Sequence, residues 1–265
     1  MAWLVLIIGA AVLSPLLPLG NADDSAKALT SPVFAPPFSA GHLLGTNTYG
    51  LDLLARSVAG ARTSLAIALV AVVVGTTVGG LIGIVAGFLR GATDSIVGIL
   101  ANALLAVPPL VLLIALGSVL DPGIRNIGLA LALLTIPSMV RVARATTIAF
   151  AQREFVLAAR AMGATRWRLM IRELLPNVAL PLLSLAVVMI SMLIVAEASL
   201  SFLGLGIKPP EPTWGNMIAE GQDGVMEQHP FIVLVPGLCL FLTVFAFNLL
   251  GERVQQRLNP KGGRL

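Results

Sequence analysis

Six long apolar stretches dominate the sequence and limit the folds that are open to it. They cover residues 2–19, 64–89, 95–120, 127–150, 177–205 and 231–250. A helix needs about 20 apolar residues to cross the hydrocarbon core of a bilayer, and each stretch approaches or exceeds that length. Charged residues make up only 11% of the chain and hydrophobic residues 57%, which excludes an ordinary soluble domain. We therefore expect an all-α integral membrane protein with six transmembrane helices.

The first apolar stretch has two interpretations. It is short, contains Pro15 and Pro18, and is followed by Ala26-Lys27-Ala28, as the apolar part of a signal peptide would be. However, no basic residues precede it, so we favour a helix that stays in the protein. We divide the chain into residues 1–62, the first helix with an extracytoplasmic segment, and residues 63–265, the transmembrane domain.

The distribution of Lys and Arg predicts the orientation. If the amino terminus is inside, twelve of these residues lie in inner segments and five, among them Lys27 and Lys208, in outer segments. Cytoplasmic segments carry the excess of positive charge in membrane proteins. We therefore expect both termini in the cytoplasm of a bacterial cell, with the chain in its inner membrane.

Residues 153–176 form the longest polar segment between two apolar stretches. The segment contains five arginines and two acids: Arg153, Arg160, Arg166, Arg168 and Arg172, with Glu154 and Glu173. Phe155, Ala158, Ala159 and Met162 recur at the spacing of one helical face, and Gly163 stands where a left-handed residue ends a helix at low cost. The pattern predicts a short docking helix followed by a turn, within a cytoplasmic loop at about residues 151–176.

This segment resembles the "EAA" loop of the membrane subunits of ATP-binding-cassette importers, through Ala158-Ala159, Gly163 and Leu175-Pro176. Two positions differ, because Leu157 replaces the motif's Glu and Glu173 replaces its Ile. We expect Glu154, one helical turn earlier, to supply the missing acid. The resemblance implies a coupling helix that binds in a groove of a separate ATPase subunit. The implied contact residues are Glu154, Phe155, Ala158, Ala159, Met162, Gly163, Leu175 and Pro176.

Residues 42–65 are similar to a signature of the dipeptide, oligopeptide and nickel importer permeases, of the second permease type. Asn47 and Leu51 replace the Asp and Arg of that signature. The runs around Glu197, in the 207–230 loop and at the end of the chain are similar to the same family. The resemblance implies the type I importer permease fold, a second homologous permease, two ATPase subunits that carry ATP and Mg, and an extracytoplasmic solute-binding protein. It also implies that Trp214 and Asn216 face that binding protein; the alternative is that Trp214 anchors the loop in the membrane interface.

Residues at the start of the second stretch predict a separate interfacial helix. Leu51, Leu54, Ala55 and Val58 share one helical face, and Asp52 and Arg56 are spaced for an i, i+4 ion pair on the other face. We expect this interfacial helix to lead into the second span. For residues 42–65 as a whole, we favour packing on the chain's own bundle as their role.

Inside the spans, three features have both a packing and a functional interpretation. Gly75, Gly79, Gly83 and Gly87 lie four residues apart, which favours close helix packing over a substrate path. Pro108-Pro109 predicts a kink, either for gating or in a rigid bundle. Glu197 is the only acid well inside an apolar stretch; it either serves the path or gate or forms hydrogen bonds with Ser199, Ser201 or the backbone.

Several functions fit the sequence poorly. It contains no Gly-x-x-x-x-Gly-Lys-Ser/Thr loop, so energy from ATP must come from a partner. Its two histidines, His42 and His229, are too far apart for a helix-borne metal pair, and nothing indicates an enzyme, a cofactor in this chain or nucleic-acid binding. A secondary transporter or channel should show inverted halves with interrupted helices. We therefore predict a lipid-embedded, non-catalytic permease subunit of an importer for dipeptides or short oligopeptides, with nickel chelates or haem as alternative substrates.

Overall fold

The fold is almost entirely helical. The computed structural model describes residues 1–14, 16, 19, 22–24, 31–39 and 41–258. In chain order, the helices are α1 (Ala2–Leu13), α2 (Leu53–Leu89), α3 (Gly91–Ala106), α4 (Pro109–Gly117), α5 (Ile124–Phe150), α6 (Glu154–Ala161), α7 (Arg166–Phe202), α8 (Trp214–Ala219), α9 (Val225–Gln228) and α10 (Phe231–Leu258). Within α7, residues Leu169–Leu174 form a π-helical stretch. Pro15, Pro18, Lys27, Lys261 and Arg264, on which parts of the sequence argument depend, lie outside the described residues.

The prediction of six full-length transmembrane helices is not met in the described part of the chain. Four helices, α2, α5, α7 and α10, are long and apolar enough to cross a membrane, and the α3–α4 pair forms a fifth, bent span. Among its described residues, the first predicted span contains the 12-residue helix α1, which has a length of about 18 Å. This is shorter than a hydrocarbon core of about 30 Å.

The predicted kink at Pro108-Pro109 is a complete break. Helix α3 ends at Ala106, α4 begins at Pro109, and their axes differ by 84°. Prolines lack the backbone N–H that would continue the α3 ladder, and Pro108 is extended, with a ψ of 125°. Pro109 instead takes the first position of α4, where a missing N–H costs nothing.

Helices α2 and α5 lie in close contact along the glycine stripe. A Cβ atom added to these glycines would lie 2.5 Å from Thr135 at Gly75, 2.6 Å from Ile136 at Gly79, 2.6 Å from Ala143 at Gly83 and 2.7 Å from Arg144 at Gly87. Three of the four would also meet backbone atoms of α5 at 3.0 Å or less. Only hydrogen fits between the two helices at these positions, so all four glycines face α5.

The predicted interfacial helix does not exist as a separate element. Helix α2 runs without interruption from Leu53 to Leu89. Leu51, Ala55 and Val58 are buried in the protein, as expected for a segment that packs on its own bundle. The boundary proposed after residue 62 therefore falls inside a continuous helix. Because the first turns of α2 pack against the chain itself, they extend the bundle beyond its apolar part.

Candidate functional site: the 151–176 loop and the polar clusters at the opposite end

The 151–176 loop contains the helix and turn that the sequence predicts. Helix α6 covers Glu154–Ala161 and ends in a Schellman motif, in which Ala164 N donates to Ala159 O and Gly163 N donates to Arg160 O, both at 3.0 Å. Gly163 has a φ of +84°. No other atom lies within 4 Å of the position of a Cβ there, so the demand for glycine comes from the backbone conformation.

The two sides of α6 have different surroundings. Val156 and Ala159 are buried in a small cluster with Ala151, Leu169 and Leu174, onto which Phe88 of α2 also packs. Phe155, Ala158 and Met162 are exposed, and the Met162 side chain is 82% accessible. We call these three residues the exposed α6 face. They form an apolar surface in which the Phe155 ring is 40% exposed and meets the Phe150 ring edge-on.

Not all predicted coupling residues lie on that surface. Ala159 is 8% exposed and belongs to the buried side, which corrects the prediction that it shares one outward face with Phe155, Ala158 and Met162. The reason is geometric, since Ala159 follows Val156 by three positions and Val156 is the residue that anchors α6. Glu154, Leu175 and Pro176 are exposed on the same loop. Leu157, on the other side of α6, is also exposed and lies in a depression shared with Arg90 and Arg160.

At the opposite end of α2, a buried ion pair joins three distant segments. Arg56 Nη2 lies 2.5 Å from Glu220 Oε1; the Arg56 side chain is 1% exposed and the Glu220 side chain 9%. Asn47 Nδ2 donates to Glu220 Oε2 at 2.8 Å, and Arg56 Nη1 donates to the carbonyl oxygens of Ala22 and Pro210. Burial raises the pKa of the Glu220 carboxyl, although Arg56 and Asn47 act in the opposite direction. The cluster ties the segment that precedes α2 to α2 and to the 207–230 loop.

These contacts replace the predicted ion pair between Asp52 and Arg56. Asp52 instead caps α2 by accepting a hydrogen bond from Ala55 N at 2.8 Å, and its other oxygen lies 2.9 Å from His42 Nδ1. Asp52 is engaged in the cap of α2, so Arg56 forms its ion pair with Glu220 instead. The sequence offered no signal for this pairing because the two residues are 164 positions apart.

Glu197 lies at the centre of a second buried polar cluster. Its carboxylate accepts hydrogen bonds from Ser64 Oγ on α2 at 2.9 Å and from Ser201 Oγ, one turn further along α7, at 2.7 Å. Of the two serines considered from the sequence, Ser201 is a partner, whereas Ser199 donates to the backbone of Val195. Glu197 is 0% exposed, so in this conformation it contacts its own chain and not an open path.

Trp214 and Asn216 do not lie on an outward surface. Trp214 is fully buried and its Nε1 donates to Ser57 O at 3.1 Å. Asn216 completes a capping box with Thr213 and donates to the carbonyl oxygens of Ile207 and Glu211. Because both side chains are used to fold the loop over α2, the prediction that they face a binding protein is wrong for this conformation. The alternative of an interfacial Trp214 anchor is wrong for the same reason.

The α3–α4 span, which contains Pro108 and Pro109, is the most exposed part of the bundle. Two polar contacts connect it to α5: Arg144 Nη2 donates to Asp94 Oδ2 at 2.7 Å, and Arg141 Nη2 donates to Asn102 Oδ1 at 3.2 Å. Both prolines are exposed. The described residues contain no group of three or more His, Cys, Asp or Glu that could hold a metal ion.

The broken and unbroken apolar helices, with an exposed helical loop between α5 and α7, are those of a multi-pass membrane protein. The sequence model of the family "Binding-protein-dependent transport system inner membrane component" matches residues 79–261. The chain belongs to this family. The prediction of an ATP-binding-cassette importer permease is therefore confirmed, as is its location in the inner membrane as a multi-pass protein.

Relatives and solved structures agree with this assignment. The chain is 40% identical to the di/tripeptide transport system permease protein DppC of Pseudomonas aeruginosa, over 88% of this chain and 77% of that protein. It is 37% identical to the glutathione transport system permease protein GsiD of Pectobacterium atrosepticum, over 84% of this chain and 74% of that protein. A chain of the MetNI methionine ABC transporter in an inward-facing conformation has a similar fold, with a TM-score of 0.60 at 20% identity, over 78% of this chain and 96% of that one.

Proposed function

We propose that this chain is the second-type permease subunit of an ATP-driven importer of dipeptides or short oligopeptides. Its similarity to permeases named for di- and tripeptide transport and for glutathione, itself a tripeptide, supports the substrate class. The proposal includes a second, similar permease, two ATPase subunits that bind ATP and Mg, and a solute-binding protein on the outside. Both termini are then in the cytoplasm, on the side of the 151–176 loop.

The observation that carries the proposal is the exposed α6 face, formed by Phe155, Ala158 and Met162. It is apolar, it ends at the fixed turn of Gly163, and the loop around it carries exposed arginines. A short helix of this kind suits a groove in a partner protein, where burial of its apolar side chains provides the affinity. In this proposal the ATPase moves the loop when it closes on ATP, and the loop carries the bundle between inward-open and outward-open states.

The test compares the same substitution on the two sides of α6. Met162→Glu places a charge on the exposed α6 face, and Leu157→Glu places one on the opposite side with the family's own residue. Each parent side chain is exposed in the free chain, so neither change should unfold it. Burying an uncompensated charge in the ATPase groove should weaken docking by about tenfold or more in Met162→Glu.

The measurement is ATP hydrolysis by the reconstituted complex, with and without binding protein loaded with a dipeptide. We expect stimulation to be lost in Met162→Glu and kept in Leu157→Glu, while peptide affinity of the binding protein is unchanged. Equal stimulation of both variants would show that α6 is not the coupling element. Uptake of dipeptide, glutathione, haem and nickel chelate by the same vesicles tests the substrate class separately, and uptake of haem or nickel alone would refute it.

A further inference from the structure

An apolar groove lies beside α1, and none of its lining residues belongs to the 151–176 loop. It has a volume of about 440 Å³ and lies between α1, α2, α7 and α10. Its walls include Ile8 and Val12 of α1, Ala66 and Leu69 of α2, and Phe247 of α10, and Arg62 stands at its rim. Helix α1 forms one wall because Trp3 Nε1 donates to Thr243 Oγ1 on α10 at 3.0 Å and because Leu4, Ile7 and Ala11 are buried.

The depth of Arg62 in the bilayer follows from the length of α2. Residues 63–89 contain no charged side chain, and Arg62 and Arg90 are the charged residues on either side of them. At 1.5 Å per residue, the 28 steps from Arg62 to Arg90 cover about 42 Å, which equals the thickness of a bilayer including its headgroups. Arg90 lies beside the 151–176 loop, at one membrane surface. Arg62 therefore lies in the headgroup layer of the other surface, with the groove in the hydrocarbon beneath it.

Arg62 has no acidic partner among the residues that the structure describes. The arginine ion pairs there are those of Arg56 with Glu220 and of Arg144 with Asp94. The Arg62 side chain is exposed and lies at the mouth of an apolar surface. A cation in this position is stabilised by an anion that is present at the same depth, and the phosphodiester of a phospholipid is such an anion.

We propose that this groove binds one phospholipid, with an acyl chain between α1 and α2 and the phosphate on Arg62. The Arg62 cation at the rim fits the phosphate headgroup of a lipid. The apolar walls beneath it fit an acyl chain of the same molecule. Leu69 of α2 lines the groove and is 57% exposed, and the acyl chain covers it. The bound lipid holds α1 against the bundle. The proposal depends on the bilayer setting and not on which solute the complex transports.

The test measures lipid retained by the full-length chain after purification in detergent, by native mass spectrometry. The probes are dioleoylphosphatidylglycerol, dioleoylphosphatidylethanolamine and dioleoylglycerol, which share their acyl chains while only the first two carry a phosphate. We expect about one phospholipid per chain, and about tenfold or more weaker retention of dioleoylglycerol, because it lacks the charge-assisted hydrogen bonds to Arg62.

Two variants and a control separate the two halves of the site. Arg62→Gln should lower retention of both phospholipids about tenfold and leave dioleoylglycerol unchanged. Ala66→Trp, which fills the groove, should lower retention of all three probes. Arg125→Gln removes another exposed arginine, at the start of α5 and outside the groove, and should change nothing.

Two results would overturn the proposal. Equal retention of phospholipid by the parent and by Arg62→Gln would show that Arg62 does not bind the phosphate. The Arg62 side chain is exposed, so this substitution should not change the fold. Loss of the lipid when the second permease joins the complex would show that the groove is a protein interface. Retention of the lipid in the assembled complex supports the proposal.

Discussion

Replacement of Gly83 by Ala tests the closest contact between α2 and α5. The new Cβ would lie 2.6 Å from both Ala143 Cβ and Val140 O, and 3.0 Å from Arg144 N. Two of these three atoms belong to the backbone of α5, so they cannot turn aside as a flexible side chain would. Because ordinary contact begins at about 3.4 Å, α2 must move away from α5 by about 0.8 Å.

The cost of that movement is spread along the stripe. Gly75, Gly79 and Gly87 contact the same helix and would lose part of their contact when α2 moves. A gap of 0.5–1 Å removes about a quarter to a half of the dispersion energy of each atom pair, and overpacking of a well-packed site costs about 1–3 kcal/mol. The higher helix propensity of Ala returns up to about 1 kcal/mol. We expect the free energy of unfolding to fall by about 1–2 kcal/mol.

The matched control is Gly237→Ala in α10. Gly237 is also inside an apolar helix, but no atom lies within 4 Å of its Cβ position. It should therefore gain the propensity term without the clash, so the two variants should differ by about 2–3 kcal/mol. The assay is reversible unfolding in mixed micelles, followed by the loss of helical circular dichroism. If both variants unfold within about 0.5 kcal/mol of each other, the close packing of α2 on α5 is refuted.

Two further predictions concern the end of α2 opposite to the 151–176 loop. Glu220→Gln should lower the free energy of unfolding by about 3–5 kcal/mol, because Arg56 is 1% exposed and would lose its carboxylate partner. Replacing both Arg56 and Glu220 by Met should lower it by less. Equal losses in the two variants would contradict a buried ion pair. Trp214→Phe should cost about 0.5–1.5 kcal/mol through the lost bond to Ser57 O, and Trp214→Ala about 3–5 kcal/mol, both by the same unfolding assay. A fully stable Trp214→Ala would show that this side chain is not buried against α2.

The features that could be predicted from the sequence are those with a local cause. Gly163 ends α6 because only glycine takes a φ of +84° at low cost, and that preference is visible in the sequence beside a helical pattern. The break at Pro108-Pro109 follows from two missing N–H groups, although a pair of prolines does not indicate an angle as large as 84°. Apolar length predicted six spans, but it does not show how much of the first stretch is helical, and its described helix α1 has 12 residues.

The buried polar clusters could not be predicted because their members are distant in the chain. Glu220 belongs to a loop that has four acids and one lysine, where solvation is the simpler expectation. Only the folded structure brings it to Arg56, which is 164 positions away. Trp214 was misread for the same reason: an aromatic residue in an outer loop is typical of an interface, but here the loop folds back and places the ring against Ser57.

Helix α2 connects these buried clusters to the loop that contains α6. Arg56 and Ser64 hold its first turns to the 207–230 loop and to Glu197, the glycines fix its middle to α5, and Phe88 packs onto the cluster that anchors α6. A movement of α6 is therefore transmitted to α2 through Phe88. The close backbone contact at the glycines prevents α2 from sliding separately from α5. We expect the two helices to move as one rigid body, with the change of shape concentrated at the break between α3 and α4. The bent span makes few contacts that would resist it, since Ala101 and Leu113 are its only buried residues among those described.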